Sequence, residues 1–302
     1  MIVIDISPAF VMGSSDPCPA CGWTVERQEC CRYESNVKLF YGVSNLGVWS
    51  LGSKLVLKDR GVNPPTYEVP NIQFLQNVTS IPIPAVVESW EEGNHILILM
   101  KRVPGVPLSE AWPNLSMPER ETIARETAEY LLQLRKLQSD SIQGLDGRPF
   151  HANLLFMGNG NDSGLPYSPL ASDEALWAGM EPGLKDTVPE AARRRLRQRM
   201  PTATPYTFTH NDLTNVNIMV ENGHLTGIID WERSGYLPVW WEYVHTYLGD
   251  SEEDAEWKKL LRKFMPDYSA ALEFWLDYYF LCRDPTHERA KRFLEETESE
   301  TL

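Results

Sequence analysis

The chain has 302 residues, 42% of them hydrophobic and 11% aromatic, and a formal net charge of −14. This composition predicts a globular protein with a sizeable core and argues against an intrinsically disordered chain. The acidic balance argues against a nucleic-acid partner, which needs a basic surface. No apolar run approaches the length of a membrane span, and the N-terminal stretch lacks the basic residues of a secretory signal. We therefore expect a cytoplasmic protein with no membrane partner.

The first 34 residues are predicted to form an N-terminal extension that carries four of the five cysteines: Cys18, Cys21, Cys30 and Cys31. Four thiolates can close a tetrahedral zinc site. The side chains of two adjacent cysteines tend to diverge, however, so Cys30 and Cys31 are poorly suited to one metal ion. An irregular extension with free thiols is the favoured alternative.

Residues 35–103 are predicted to form a small N-terminal lobe. Short runs rich in Val, Leu and aromatic residues, broken by glycine, are typical of antiparallel strands. The expected strands are VKLFYGV, LGVWSLG and KLVLKDR, followed by Ala85–Ser89 and Ile96–Met100. Between the third and fourth strands, Pro70 fits the first turn of a short helix over about Val69–Asn77, because the missing N–H of proline costs nothing there.

Residues 104–302 are predicted to form a larger, mainly helical lobe. Ser116 and Glu119 have the spacing of a capping box, which opens a helix to about Leu137 with a buried apolar face. An arginine-rich helix over Pro189–Met200 is expected to be a solvated face. The acidic C-terminal residues EETESETL are expected to fray.

The stretch FTHNDLTNVNIMVENGHLTGIIDWE, which begins at Phe208, combines polar residues with a strong turn signal. Asn222-Gly223 lies between two apolar runs and predicts a tight β-hairpin, because both turn residues must adopt positive φ. Such a hairpin brings Asn217 and Asp230 side by side, with Asp212 on the loop before it. His210 is interpreted as a structural residue that orders this loop.

This arrangement of polar groups predicts phosphoryl-transfer chemistry. An amide oxygen and a carboxylate are ligands that suit Mg²⁺, so Asn217 and Asp230 are the candidate metal ligands. Asp212 can then orient a hydroxyl group and accept its proton, and Asp212 and Asn217 have the spacing of the kinase catalytic loop. The alternative is an ordinary surface hairpin with Asp and Asn in its turns.

The motifs HNDLTNVNIMV and GIIDWE resemble the aminoglycoside phosphotransferase family of small-molecule kinases, in its fungal form. The family pattern has His-Gly-Asp where this chain has Asn211, a residue that tolerates left-handed backbone better than most. The resemblance covers about residues 35–282. It implies an α+β, protein-kinase-like two-lobed fold with a small antiparallel sheet in the N-lobe and a mainly helical C-lobe.

The resemblance also implies roles for residues of the N-lobe and of the junction between the lobes. Lys58 is expected to contact the α- and β-phosphates of ATP, with Glu68 as its partner. Ser44 is expected to lie near the phosphates. The adenine ring is expected to contact four apolar residues, for which a plain core role is the alternative: Met100, Val103, Met219 and Ile229.

The predicted function is therefore ATP- and Mg²⁺-dependent phosphoryl transfer to a hydroxyl group of a small molecule. The acidic C-terminal part would attract a cationic acceptor, although acidic surfaces also serve solubility alone. Few residues separate Asp230 from Pro238, which leaves no room for the activation segment of a protein kinase. The main alternative is a nucleotide-binding or interaction protein without turnover, motivated by Asn211 and by the absence of a glycine-rich loop.

Overall fold

The computed structural model describes residues 37–43, 46–62, 66–149, 154–157 and 169–301. Ser44 and the four cysteines of the predicted N-terminal extension lie outside the described residues, so the predictions made for them are not tested by this structure. Among the helices of the described part, none is long and apolar enough to cross a lipid bilayer.

The N-terminal part is a five-stranded antiparallel sheet with the strand order β1-β2-β3-β5-β4. The strands are β1 Val37–Val43, β2 Leu46–Leu51, β3 Leu55–Gly61, β4 Val86–Glu92 and β5 His95–Lys101. All five were predicted from the alternation of apolar runs and turn residues. In β3, Lys58 is paired with Val48 on one side and Ile98 on the other, so the lysine lies in the centre of the sheet.

One helix, α1 Glu68–Val78, connects β3 to β4 and packs against the C-terminal part of the protein. Pro70 lies in its first turn, where its missing N–H breaks no helical hydrogen bond. Ile72 and Leu75 are fully buried. Asn71 is also fully buried, and its Nδ2 donates to the carbonyl oxygens of Trp231 (2.8 Å) and Ser234 (3.3 Å). The helix is thereby fixed against the chain that follows the predicted hairpin.

The C-terminal part combines helices with two small antiparallel sheets, of order β10-β9-β6 and β11-β8-β7. The short strands are β6 Val106–Pro107, β7 Gln138–Ser139, β8 Tyr206–Thr209, β9 Ile218–Glu221, β10 His224–Ile228 and β11 Gly235–Pro238. The helices are α2 Leu108–Ala111, α3 Met117–Leu134, α4 Asp173–Met180, α5 Glu190–Arg199, α6 Trp241–His245, α7 Glu252–Arg262, α8 Ser269–Arg283 and α9 Glu288–Thr301.

The predicted capping box of α3 is present. The Ser116 N–H and hydroxyl both lie within hydrogen-bond distance of the Glu119 carboxylate, at 2.8 and 2.6 Å. The helix ends at Leu134, three residues before the predicted end. Its predicted apolar face is buried, with Ala124, Ala128, Leu131 and Leu134 all in the core.

One expectation for the surface helices was wrong, because the acidic C-terminal segment does not fray but forms the end of α9. The arginine-rich α5 is exposed on one face, as expected, with Arg194, Arg197 and Arg199 at the surface, while Arg195 is partly buried. Arg195 of α5 lies 3.1 Å from the carboxylates of both Glu296 and Glu300, and its Nη1 donates to the Phe293 carbonyl. Glu296 and Glu300 of the tail are thus paired with Arg195 of α5, a contact between segments about a hundred residues apart.

Candidate functional site

The predicted hairpin is present between β9 and β10. Asn222 and Gly223 adopt φ angles of 52° and 77°, the left-handed conformation that an Asn-Gly turn requires. The strands pair from Glu221 and His224 at the turn to Ile218 and Ile228 at the far end. Beyond the last pair, the Ile229 N–H donates to the Asn217 carbonyl at 3.0 Å. The hairpin therefore brings Asn217 beside the residue that precedes Asp230.

The residues before the hairpin, 212–217, form a loop that is closed by hydrogen bonds between its own residues. The Asn217 Nδ2 donates to the Asp212 carbonyl (2.9 Å), and the Asn217 N–H donates to the Thr214 carbonyl (3.0 Å). Asp212 is partly exposed at the surface of the protein. Burial raises the pKa of the Asp212 carboxyl, and the nearby Arg233 guanidinium opposes that rise. A carboxyl group with this shift is a better proton acceptor than a fully solvated aspartate.

Lys58 lies at the centre of a cluster of carboxylates. Its Nζ is 2.7 Å from Glu68, 2.8 Å from Asp230 and 3.4 Å from Glu232. Burial disfavours the charge on Lys58, but the carboxylates of Glu68 and Asp230 outweigh it and raise the pKa of the lysine. The lysine therefore remains an ammonium ion and keeps the pKa of Asp230 low, against the effect of burial. Lys58 is thus in direct contact with both Glu68 and Asp230, as the predicted site residues require.

The same three carboxylates lie close enough to form a possible cation site, because single oxygens of Glu68, Asp230 and Glu232 lie within 4.8 Å of one another. Lys58 contacts all three, and Arg60 is paired with Glu232. The ammonium and guanidinium groups already compensate the negative charge of this cluster, so it does not require a metal ion.

Asn217 and Asp230 carry the types of donor atom that suit a Mg²⁺ ion. The Asn217 side chain uses its amide NH₂ to bind the Asp212 carbonyl, which directs its oxygen away from that bond. Asp230 has 29% side-chain exposure and contacts Lys58 through one of its two oxygens. An amide oxygen and a carboxylate oxygen are hard ligands of the type that Mg²⁺ prefers.

His210 orders the backbone of the loop from inside the protein. Its Nε2 is 2.9 Å from the Ile229 carbonyl, and the Asp212 N–H donates to its Nδ1 at 3.2 Å. The ring is fully buried and packs edge-on against Trp231. Burial lowers the pKa of His210 to about 4, so the imidazole is neutral near pH 7. This geometry agrees with the structural role predicted for His210.

Glu242 of α6 was not identified from the sequence. Its carboxylate accepts the N–H groups of His210 (2.7 Å) and Asn211 (3.3 Å), the two residues that precede Asp212. Burial raises the pKa of Glu242 to about 7, although the two hydrogen bonds favour the charged form. A single carboxylate thus satisfies the two backbone donors just before the 212–217 loop.

Asn211, which departs from the family pattern, adopts a left-handed conformation with φ 65°. Its backbone therefore takes the conformation expected of a glycine at this position. The side chain also makes two contacts that glycine cannot make. Its Oδ1 accepts the indole N–H of Trp241 at 2.6 Å, and its Nδ2 donates to the Arg233 carbonyl at 3.2 Å.

Comparison with known proteins identifies the family. The model of the phosphotransferase enzyme family, APH, matches residues 57–274, more than two thirds of the chain. The chain belongs to this phosphotransferase family. No curated protein sequence matches it significantly.

Solved structures of aminoglycoside phosphotransferases share the fold. The streptomycin–ATP ternary complex of APH(2")-IIa has a TM-score of 0.53 at 15% sequence identity, covering 88% of this chain and 91% of the other. A thermostable mutant of APH(4)-Ia in complex with ADP and hygromycin B has a TM-score of 0.54 at 14% identity, covering 88% and 92%. Another structure of APH(4)-Ia has a TM-score of 0.56 at 14% identity, again covering 88% and 92%. The α+β, protein-kinase-like two-lobed fold predicted from the sequence is confirmed.

Within this phosphotransferase fold, the four apolar residues predicted to contact adenine lie near the junction between the N-terminal sheet and the hairpin. Val103 packs so closely on β10 that a Cβ on Gly227 would lie 2.5 Å from its Cγ1. Gly227 is in turn the partner of Met219 in β9. Met219 and Ile229 are partly buried. Met100 is 7% exposed and belongs to the hydrophobic core, so the plain core role describes its contacts in this structure.

Proposed function

We propose that this protein transfers the γ-phosphoryl group of ATP to a hydroxyl group of a small molecule. The main support is the convergence of polar groups from three distant parts of the chain. Lys58 of the N-terminal sheet is 2.7 Å from Glu68 and 2.8 Å from Asp230, while the hairpin brings Asn217 next to Ile229. These groups and Asp212 supply a phosphate-binding cation, two oxygen ligands and a base.

Each of these residues has a role that its surroundings support. Asp212, partly exposed and with a raised pKa, orients the acceptor hydroxyl and accepts its proton. Asn217 and Asp230 would hold Mg²⁺ through an amide oxygen and a carboxylate oxygen. When bound, Mg²⁺ would neutralise charge on the phosphates of ATP. Lys58, kept charged by its carboxylate neighbours, binds the phosphates, and Glu68 fixes the direction of the lysine.

The acceptor is proposed to be a small molecule that carries both a hydroxyl group and a positive charge. The formal net charge of −14 favours a cationic molecule. Related folds have been solved with streptomycin and with hygromycin B, which both carry hydroxyl and basic nitrogen groups. We also propose that residues 35–103 bind the nucleotide and that residues 104–302 carry the base and the acceptor pocket, with residues 1–34 as an extension.

The test is a thermal shift of the purified protein with ATP, with and without Mg²⁺. A ligand at a hundred times its Kd stabilises a protein by about 2.7 kcal/mol, which is readily measured. We expect a Mg²⁺-dependent shift that Asp230→Asn abolishes. The matched control is Asp186→Asn, at an exposed aspartate before α5, which should keep the full shift.

The outcomes separate the proposed function from its alternative. No shift at millimolar ATP in the unmodified protein would refute the nucleotide site. A shift that is independent of Mg²⁺ would refute Asn217 and Asp230 as metal ligands and favour a nucleotide-binding protein without turnover.

A further inference from the structure

The first two turns of α7 contact the 212–217 loop at two points. The Asp254 Oδ1 accepts the backbone N–H of Asn215 at 2.7 Å. One turn later, the indole N–H of Trp257 donates to the carbonyl of Leu213 at 3.2 Å. Both Asp254 and Trp257 are fully buried. The sequence gives no signal for these contacts, because about forty residues separate α7 from the loop.

Asp254 forms a buried ion pair with Lys258, one turn further along α7. The Lys258 Nζ lies 2.8 Å from the Asp254 Oδ2, and both side chains are at most 2% exposed. The same lysine donates to the Leu248 carbonyl at 2.7 Å, and the Asp254 Oδ2 also accepts the N–H of Asp250 at 3.1 Å. Hydrogen bonds from several directions satisfy the buried charges, as a buried ion pair requires.

A buried ion pair is weak support for stability, because apolar residues of similar volume often serve equally well. The contacts of this pair point to a different role. The 212–217 loop is not part of a helix or a strand, so its conformation depends on partners for its backbone groups. Asn215 lies midway between Asp212 and Asn217. Its N–H is held by Asp254, and its carbonyl accepts the N–H of Ser109 at 3.1 Å.

We propose that Asp254 and Lys258 are positioning residues for phosphoryl transfer, which hold Asn215 so that Asp212 and Asn217 keep their relative geometry. The inference rests on the proposed function, because it concerns the loop that carries the proposed base and one proposed metal ligand. Asp254 supplies the hydrogen bond. Lys258 fixes the direction of the carboxylate and compensates its charge. Neither residue is required to touch the nucleotide or the acceptor.

Two double variants separate the hydrogen bond from the ion pair. In the first, Asp254→Leu with Lys258→Met removes both charges and the acceptor of the Asn215 N–H. In the second, Asp254→Asn with Lys258→Met also removes both charges but keeps one side-chain oxygen that can accept the same N–H. Urea denaturation of both variants establishes that they fold. The second variant is the matched control.

The first measurement is amide hydrogen exchange at Asn215. A hydrogen bond to a charged group contributes enough that its loss speeds local exchange by about tenfold to a hundredfold. We expect this increase in the Leu/Met variant and a much smaller one in the Asn/Met variant. Equal exchange at Asn215 in the unmodified protein and the Leu/Met variant would overturn the proposal.

The second measurement is the gain in ATP affinity that Mg²⁺ produces. A merely structural role would weaken ATP binding equally with and without Mg²⁺. We expect the Leu/Met variant to lose most of the gain, because Asn217 is displaced, and the Asn/Met variant to keep it. An unchanged gain in the Leu/Met variant would overturn the positioning role. If the unmodified protein binds no ATP, the proposed function fails, while the exchange of Asn215 still decides whether Asp254 holds the loop.

A further variant covers the case in which the Leu/Met protein does not fold. Trp257→Phe removes the second contact from α7, the hydrogen bond to the Leu213 carbonyl, with a small change in volume. We expect it to reduce the Mg²⁺-dependent gain in the same direction. A full gain in Trp257→Phe would contradict a role of α7 in holding the loop.

Discussion

The carboxyl group of Glu242 provides a quantitative test of how the 212–217 loop is held. Burial raises its pKa from an ordinary 4.5 to about 7, while it accepts the N–H groups of His210 and Asn211. The substitution that tests this pKa is Glu242→Gln. The amide keeps the size of the side chain and one acceptor oxygen but does not titrate.

The direction in which stability changes with pH follows from the number of protons that the folded and unfolded states bind. Between pH 4.5 and pH 7 the unfolded chain has lost the proton of Glu242 and the folded protein retains it, so the free energy of unfolding falls as the pH rises. The difference between a pKa of about 7 and one of 4.5, at about 1.4 kcal/mol per pKa unit, amounts to about 3 kcal/mol. Above pH 7 both states are ionised and the decline stops.

The assay is urea denaturation of the unmodified protein and Glu242→Gln from pH 4.5 to pH 8. Stability relative to the variant should fall by about 3 kcal/mol across this range. The buried His210, whose pKa is lowered to about 4, produces the opposite slope in acid, but it is present in both proteins and cancels in the difference. Glu91→Gln, at an exposed position in β4, is the control and should follow the unmodified protein. Parallel curves for the unmodified protein and Glu242→Gln would show that the pKa of Glu242 is not raised by burial.

Substitutions at three further residues test other contacts. Lys58→Met should abolish the stabilisation by ATP. It should also lower the melting temperature more at pH 8 than at pH 5, because the three surrounding carboxylates repel one another only when ionised. An equal decrease in melting temperature at both pH values would contradict this. Asn211→Gly and Asn211→Ala should each lower the free energy of unfolding by about 1 kcal/mol, because both lose the hydrogen bond from Trp241. Alanine should cost about 1 kcal/mol more, because it is strained at φ 65°. Urea denaturation measures both values, and equal stabilities of the two variants would show that positive φ is not required. Arg195→Ala should speed amide exchange in α9, whereas the exposed Arg194→Ala should not.

Local signals in the sequence were sufficient to predict the hairpin and the residues that it brings together. Asn222-Gly223 can hardly form any turn but a tight one, and the spacing then fixes Asn217 beside the chain that leads to Asp230. The contact of Lys58 with Glu68 was predicted from the family resemblance rather than from the residues themselves. A lone lysine at the end of an apolar run does not indicate its partner.

The residues that hold the loop could not be predicted. Glu242 and Asp254 contact backbone N–H groups, which every residue except proline carries, so no pairing of residue types reveals these bonds in the sequence. Glu232 lies within the motif GIIDWE. Its contact with Lys58 could not be predicted, because the direction of its side chain is set by the 3₁₀ turn Trp231–Arg233. The pairing of Glu296 and Glu300 in α9 with Arg195, about a hundred residues away, likewise has no local signal in the sequence.

We propose above that Asp212 serves as the base in phosphoryl transfer from ATP. The most direct measurement incubates the protein with Mg²⁺, ATP labelled in the γ-phosphate and a panel of amino sugars and amino alcohols, and detects a labelled product by chromatography. We expect the unmodified protein to form a phosphate ester, and Asp212→Ala to form it more slowly by about a hundredfold or more while still binding ATP. A product formed at an undiminished rate by Asp212→Ala would show that Asp212 is not the base.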